Sequence, residues 1–188
     1  MSVPERLTWT VDILDPDPGD RVLEIGCGRG VAVALLCERL TTGTVTAVDR
    51  SRTAVEAARR RNGECVAAGR AMLRVAAVEE ADFPDGSFDK VFAVNVNLFW
   101  VRSPEKELTA VRRWLAPGGI LCLSWEPPDA RRATEIAETV TAAVTAHGFE
   151  AEVLTATTAK GAWLVCVRAT KLPSVFEQLP CGQGEPGP

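Results

Sequence analysis

Histidine is almost missing from this chain, with His147 alone among 188 residues, and its six cysteines form no CxxC pair. Zinc needs nitrogen and sulfur ligands at close spacings, so no metal site is expected. Cys27, Cys37, Cys65, Cys122, Cys166 and Cys181 are scattered along the sequence, and most read as small buried thiols of a reducing compartment, with no convergence among Cys27, Cys37 and Cys65. A long apolar run is also lacking. Nothing approaches the roughly 20 residues that cross a bilayer, and Met1 to Trp9 carries Glu5 and Arg6 where a secretory signal would be apolar. Positive charge is not in excess either. With 21 basic against 25 acidic residues the net charge is -4, so the diffuse field that draws nucleic acid is absent. Together these absences predict a cytoplasmic protein whose partner is neither membrane nor nucleic acid.

What is present is enough for one sizeable core, since the chain is 46% hydrophobic and two domains of this total length would each be small. Leu7, Val11 and Leu14 are spaced for a short amphipathic helix over Pro4 to Leu14. Apolar or β-branched runs predict strands at Arg21 to Ile25, Thr44 to Val48, Met72 to Val78, Lys90 to Val96 and Ile120 to Trp125. Helices are predicted between them over Val31 to Leu40, Thr53 to Ala68 with Ser51 as cap and a possible break at Asn62-Gly63, and Glu105 to Leu115. A long helix from Ala130 to His147 is closed by Gly148, after which Ala151 to Thr157 and Ala162 to Ala169 read as a hairpin. Strand and helix in alternation predict an α/β fold, a mostly parallel sheet covered on both faces, with ligands beyond the strands' carboxyl ends. From residue 172 the chain is rich in Pro, Gly, Gln and Glu and reads as a flexible tail behind a domain of residues 1–171.

The densest chemistry lies in Glu24-Ile25-Gly26-Cys27-Gly28-Arg29-Gly30, between a strand and a helix. Missing Cβ atoms there let the chain turn sharply and let backbone N–H groups approach a ligand. A dinucleotide GxGxxG would need Gly or Ala at position 31, which is Val31, so nicotinamide is disfavoured. Asp49 ends the second strand, 19 residues beyond Gly30, close to the spacing at which an acid meets a ribose.

Four stretches, Val22 to Gly30, Val45 to Asp49, Phe83-Pro84-Asp85-Gly86-Ser87-Phe88-Asp89 and Leu115-Ala116-Pro117-Gly118-Gly119, occur in the order found in small class I S-adenosylmethionine-dependent methyltransferases, which the sequence resembles from Pro4 to Lys171. The resemblance implies a three-layer sandwich around a seven-stranded sheet whose last strand is antiparallel. S-adenosylmethionine is the implied cofactor, S-adenosylhomocysteine the product, and a small molecule the acceptor. Gly26 and Gly28, with Cys27 and Gly30 in the same turn, would meet the methionine end, Glu24 would orient the turn, and Asp49, with Arg50 beside it, would meet the ribose. Asn95 would lie near the sulfonium. Where the family often has an acid on the adenine, this chain has Ala77, leaving the Val78 backbone and Glu79 as stand-ins. The alternative is a non-catalytic cofactor-binding or partner subunit that keeps the fold.

Beyond strands four and five, Asn95, Asn97, Phe99, Trp100, Trp125 and Glu126 are candidates for the substrate mouth, Glu126 being the one able to accept a proton. Asn95 could equally tie off its strand, Phe99, Trp100 and Trp9 could be packing residues, and His147 fits a helix terminus better than a catalytic base. Arg59-Arg60-Arg61 reads as a solvated helix face. The stretch Asn95-Val96-Asn97-Leu98 does not match the NPPY-type signature of amino methylation, so the acceptor atom stays open, as does the oligomeric state.

Overall fold

A computed structural model describes residues 3–173. Helix α1 (Glu5–Leu14) precedes the units β1 (Arg21–Ile25), α2 (Val31–Arg39), β2 (Thr44–Asp49), α3 (Arg52–Arg61), α4 (Gly63–Ala67) and β3 (Ala71–Val75). Then come β4 (Phe88–Val94), α5 (Leu98–Val101), α6 (Glu105–Trp114), β5 (Leu115–Trp125), α7 (Ala130–Ala146), β6 (Phe149–Thr157) and β7 (Trp163–Lys171). The seven strands lie in the order β3-β2-β1-β4-β5-β7-β6. The first five are parallel, and β7 runs antiparallel to both β5 and β6, as the sheet implied by the sequence required.

Central strands buried on both faces read as nearly unbroken apolar runs, and Val22 to Ile25 are all buried. Leu23 and Val91 face α6 and α7 in one core, with Leu108, Val111, Ile136 and Val140. Val22 and Phe92 face α1, α2 and α3 in the other, with Val11, Leu14, Val33, Leu36 and Val55. Each large side chain fully buried in this way contributes about 1.5–3 kcal/mol. The expected caps are in place: the Ser51 hydroxyl accepts from Ala54 N at 3.3 Å, and Gly148, at φ +76°, ends α7.

Several boundaries differ from the sequence reading, for local reasons. The expected third strand to Val78 stops at Val75, because after Ala76 N donates to Asp49 O the chain leaves the sheet and coils into a short 3-10 turn, Val78–Glu80. The fourth strand spans Phe88–Val94 in place of Lys90 to Val96, ended by Asn95 in a left-handed conformation at φ +57°. The expected helix from Thr53 to Ala68 is two helices, broken at Asn62 as the Asn62-Gly63 pair suggested. The fifth strand starts earlier, at Leu115, with a register irregularity between Phe88 and Lys90. The reading of Cys37 and Cys65 as unconnected thiols is corrected: α2 and α4 bring their Cα atoms to 6.4 Å and the pair is a disulfide. Cys27, Cys122 and Cys166 are free and buried, as expected. The tail beyond Pro173, including Cys181, lies outside the described residues. No helix among the described residues is long and apolar enough to cross a membrane.

Candidate functional site

Beyond the carboxyl ends of β1 to β4 lies a cleft of about 580 Å³, lined by Ile25, Gly26, Val48, Asp49, Arg50, Ala76 to Glu79 and Val94 to Leu98, with Val101 and Arg102. Its floor is built by the glycine turn. Gly26 N and Cys27 N both donate to Val48 O, at 2.8 and 3.1 Å, which ties the turn to the end of β2. Gly26, at φ +76°, also passes so close to β4's exit that a Cβ there would stand 2.6 Å from Val96 Cγ2. Gly28, at φ +51°, has nothing within 4 Å of where its Cβ would be. The three glycines therefore serve different ends: Gly26 gives close approach to Val96, Gly28 leaves open space, and Gly30 makes room for α3.

Asp49 fastens the turn from the other side. Its Oδ2 accepts from Gly28 N at 2.9 Å and its Oδ1 from Ser51 N at 2.8 Å. Each carboxylate oxygen has a second lone pair, so a ligand hydroxyl could still be accepted.

Glu24 lies behind the turn, 3% exposed, and its Oε2 has no hydrogen-bond partner. Burial, with Asp49 adding to it, pushes its carboxyl up to about 8. The Cys27 thiol is pushed up to about 12, by burial first and then by Glu24 and Asp49, so it stays protonated and is no nucleophile. Of the candidate cofactor residues, Gly26, Asp49, Arg50, Val78, Glu79 and Asn95 line the cleft. Glu24, Cys27, Gly28 and Gly30 form its support.

The candidates at the mouth separate in the same way. Asn95 lines the cleft while its backbone N donates to Ser124 O and its Oδ1 accepts from Glu126 N, at 2.8 and 2.9 Å, bracing the ends of β4 and β5. Asn97 also lines the cleft, and its Oδ1 accepts from Trp100 Nε1 at 3.4 Å. Glu126 does not line the cleft, and Arg6 of α1 engages its carboxylate at 3.1 Å. Phe99 and Trp125, candidates for the mouth, are buried core residues and serve in packing. The Trp100 ring has the Arg132 guanidinium 5.3 Å from its centroid and joins α5 to α7, and Trp9 packs half-buried on the α1, α2 side. His147 Nδ1 lies 2.7 Å from Ala143 O at the end of α7, the structural role expected of it. Arg59 and Arg61 donate to Leu73 O and Arg29 O, so the arginine run does more than solvate a face.

Sequence reasoning did not single out Val96, Leu98, Val101 or Arg102 as a group. The last two stand at the end of a four-residue helix that was not anticipated. Arg102 is the notable omission, since its Nη2 reaches Glu79 at 3.4 Å and Glu107 at 2.7 Å. Among the described residues there is no group of three or more His, Cys, Asp or Glu side chains placed to hold a metal ion.

Residues 22–119 match the family described as methyltransferase domain. The chain belongs to that family. With the strand order above, it is a class I S-adenosylmethionine-dependent methyltransferase domain. The domain is 31% identical over 123 residues to O-methyltransferase cnsE of Penicillium expansum, a match covering 65% of this chain and 44% of that protein. It is 35% identical over 127 residues to Nocamycin O-methyltransferase of Saccharothrix syringae, covering 63% and 42%. The chain thus spans less than half the length of these relatives. Its fold is also that of geranyl diphosphate methyltransferase, solved in complex with SAM, with a TM-score of 0.71 at 16% identity over 89% of this chain and 84% of that one.

Proposed function

We propose that this methyltransferase domain transfers a methyl group from S-adenosylmethionine to a small-molecule acceptor in the cytoplasm. One observation carries the reading: three adjacent strand ends supply a glycine turn, a carboxylate and an acid-bearing loop to a single cleft, in the order β1, β2, β3. The cleft's volume suits a nucleoside-sized ligand, and the open space at Gly28 suits close approach of a ligand to backbone. The two relatives named as O-methyltransferases make oxygen the first acceptor atom to test.

In this reading Gly26 and Gly28 hold the methionine end, supported by Glu24, Cys27 and Gly30. Asp49 and Arg50 hold the ribose, Val78 and Glu79 face the base, and Asn95 stands near the sulfonium. Held by these residues, the cofactor would supply a methyl carbon on a sulfonium sulfur, open to bonding with an acceptor's lone pair as the sulfur leaves with the S–C electron pair. The chain's part is to hold the acceptor in line at the mouth, where Asn95 and Asn97 offer amide groups, and such positioning alone can contribute several kcal/mol. An acceptor that arrives as an anion, or whose proton passes to water, needs no protein base. Glu126, whose backbone N donates to Asn95 Oδ1, has a carboxylate already engaged by Arg6.

Calorimetric titration with S-adenosylmethionine and S-adenosylhomocysteine, followed by mass spectrometry of a panel of small hydroxyl and carboxyl acceptors, tests the proposal. Binding of both and methylation of an acceptor are expected. No binding of either would sink it, and binding without turnover on any acceptor would leave only a cofactor-binding subunit.

A further inference from the structure

The strand order places β3 and β4 on opposite sides of the cleft, with β2 and β1 between them. Glu79 follows β3 and Arg102 follows β4 through α5, so the 3.4 Å contact of Glu79 Oε1 with Arg102 Nη2 joins the segments that leave these two strands, at two residues that both line the cleft. The two partners are not equally anchored. The same Nη2 donates at 2.7 Å to Oε1 of Glu107, a carboxylate on α6 that is 4% exposed. Pulling Arg102 away would strand that buried charge, which is strongly unfavourable. Glu79 is exposed and has no other ion pair among the described residues. Arg102 is therefore the fixed member and Glu79 the one it holds. Because the outer contact is exposed, with side chains 53% and 42% accessible, it adds little stability, and its effect is on where the Glu79 carboxylate points.

Resting on the cofactor reading above, we propose that Arg102, anchored by buried Glu107, is a positioning residue that holds Glu79 in the cleft lining against the amino edge of the cofactor's base. Asp49 and Glu79 are the acids that line the cleft, and Asp49 is engaged with the glycine turn. Ala77 offers no carboxylate where β3 leaves the sheet. An ionised carboxylate only accepts hydrogen bonds, so it welcomes an amino N–H and repels a carbonyl oxygen set at the same place. A site built this way discriminates an amino base from its 6-oxo counterpart.

The test measures binding of S-adenosylhomocysteine and of its 6-oxo analogue, in which hypoxanthine replaces adenine, by calorimetry. Wild type, Glu79→Gln, Arg102→Ala, Arg102→Lys and the double variant Arg102→Ala/Glu107→Gln are compared. The double variant removes the stranded buried charge, so the question stays answerable if Arg102→Ala alone fails to fold. Wild type should prefer the amino base by roughly tenfold or more. The Arg102→Ala variants should fall to the small preference of Glu79→Gln, and Arg102→Lys should restore part of it. Equal weakening of both ligands in the Arg102 variants, with the preference intact, would make Arg102 a purely structural residue and overturn the proposal, as would a wild type without preference. Failure of wild type to bind S-adenosylhomocysteine at all would overturn the cofactor reading, and this proposal with it.

Discussion

Gly30 and Asn62 are locked together: Asn62 Nδ2 donates to Gly30 O at 2.9 Å, and a Cβ on Gly30 would stand 2.6 Å from that same nitrogen. Ala58 is as close, with its Cβ at 2.7 Å, and Gly30 sits at φ +70°. The glycine that opens α2 is thus a packing necessity between α2 and α3, whereas Gly28 faces open space.

The contrast gives opposite expectations for two similar substitutions. Gly30→Ala combines left-handed strain with overpacking and should destabilise the fold by about 2–4 kcal/mol, read as a lower urea midpoint. Gly28→Ala meets no neighbour and should cost about 1 kcal/mol from its backbone conformation alone. Cofactor affinity should nevertheless fall in Gly28→Ala, because the added methyl occupies space beside the turn. Equal urea midpoints for the two variants would contradict this division of roles.

Glu24 sets a pH dependence. Its carboxyl titrates at about 8 in the folded chain against the ordinary 4.5, burial being the main cause and Asp49 the second. Between those values the folded protein keeps a proton that the unfolded chain has released, so the folded state binds more protons and stability falls as pH rises. The contribution is fully present below 4.5 and lost as pH passes about 8, a difference on the order of a few kcal/mol. Glu24→Gln keeps the shape without the titration. Its urea-midpoint profile over this range should be flatter than wild type, and superimposable profiles would remove the cause assigned here.

Asp49→Ala removes the acceptor of both Gly28 N and Ser51 N. Affinity for S-adenosylhomocysteine should drop by about 1–3 kcal/mol through loss of charge-assisted hydrogen bonds, and stability by about 1 kcal/mol. Asp49→Asn retains one acceptor oxygen and should fall between. Calorimetry on the three proteins decides, and unchanged affinity in Asp49→Ala would dismiss the ribose role.

The Cys37 to Cys65 bond closes a loop of 28 residues in sequence separation. Chain-entropy arguments give such a crosslink roughly 3–4 kcal/mol. Thiol reductant should therefore lower the melting temperature of wild type and leave Cys37→Ala unaffected. In a reducing cytoplasm the pair would be open, and mass spectrometry of protein alkylated at lysis would report its state in the cell.

How much of this was legible in the sequence depends on range. Val22 to Ile25 announced a buried strand because Val22, Leu23 and Ile25 put apolar side chains on both faces despite Glu24, and Gly26 to Gly30 with Asp49 announced a ligand turn because spacing along one chain fixes them. Helix α5 was illegible, since the four residues Leu98-Phe99-Trp100-Val101 are too few to show a helical period and the Asn95-Val96-Asn97 before them alternates as a strand would. The disulfide was hidden because Cys37 and Cys65 lie on different helices, whose approach only the packing determines. Arg102 was hidden for a related reason. Its meaning comes from Glu107 and Glu79, one five residues on and one 23 residues back, each on a different element.

The hairpin of β6 and β7 has a consequence for biosynthesis. β7, the last strand described, is inserted between β5 and β6, so until residues 163–171 have left the ribosome the β5 edge offers unpaired backbone groups to any neighbour. The nascent polypeptide can assemble its glycine turn and α1 to α3 early, yet its sheet closes only once Trp163 to Lys171 have emerged, and arrest before Trp163 should yield a chaperone-dependent, protease-sensitive intermediate.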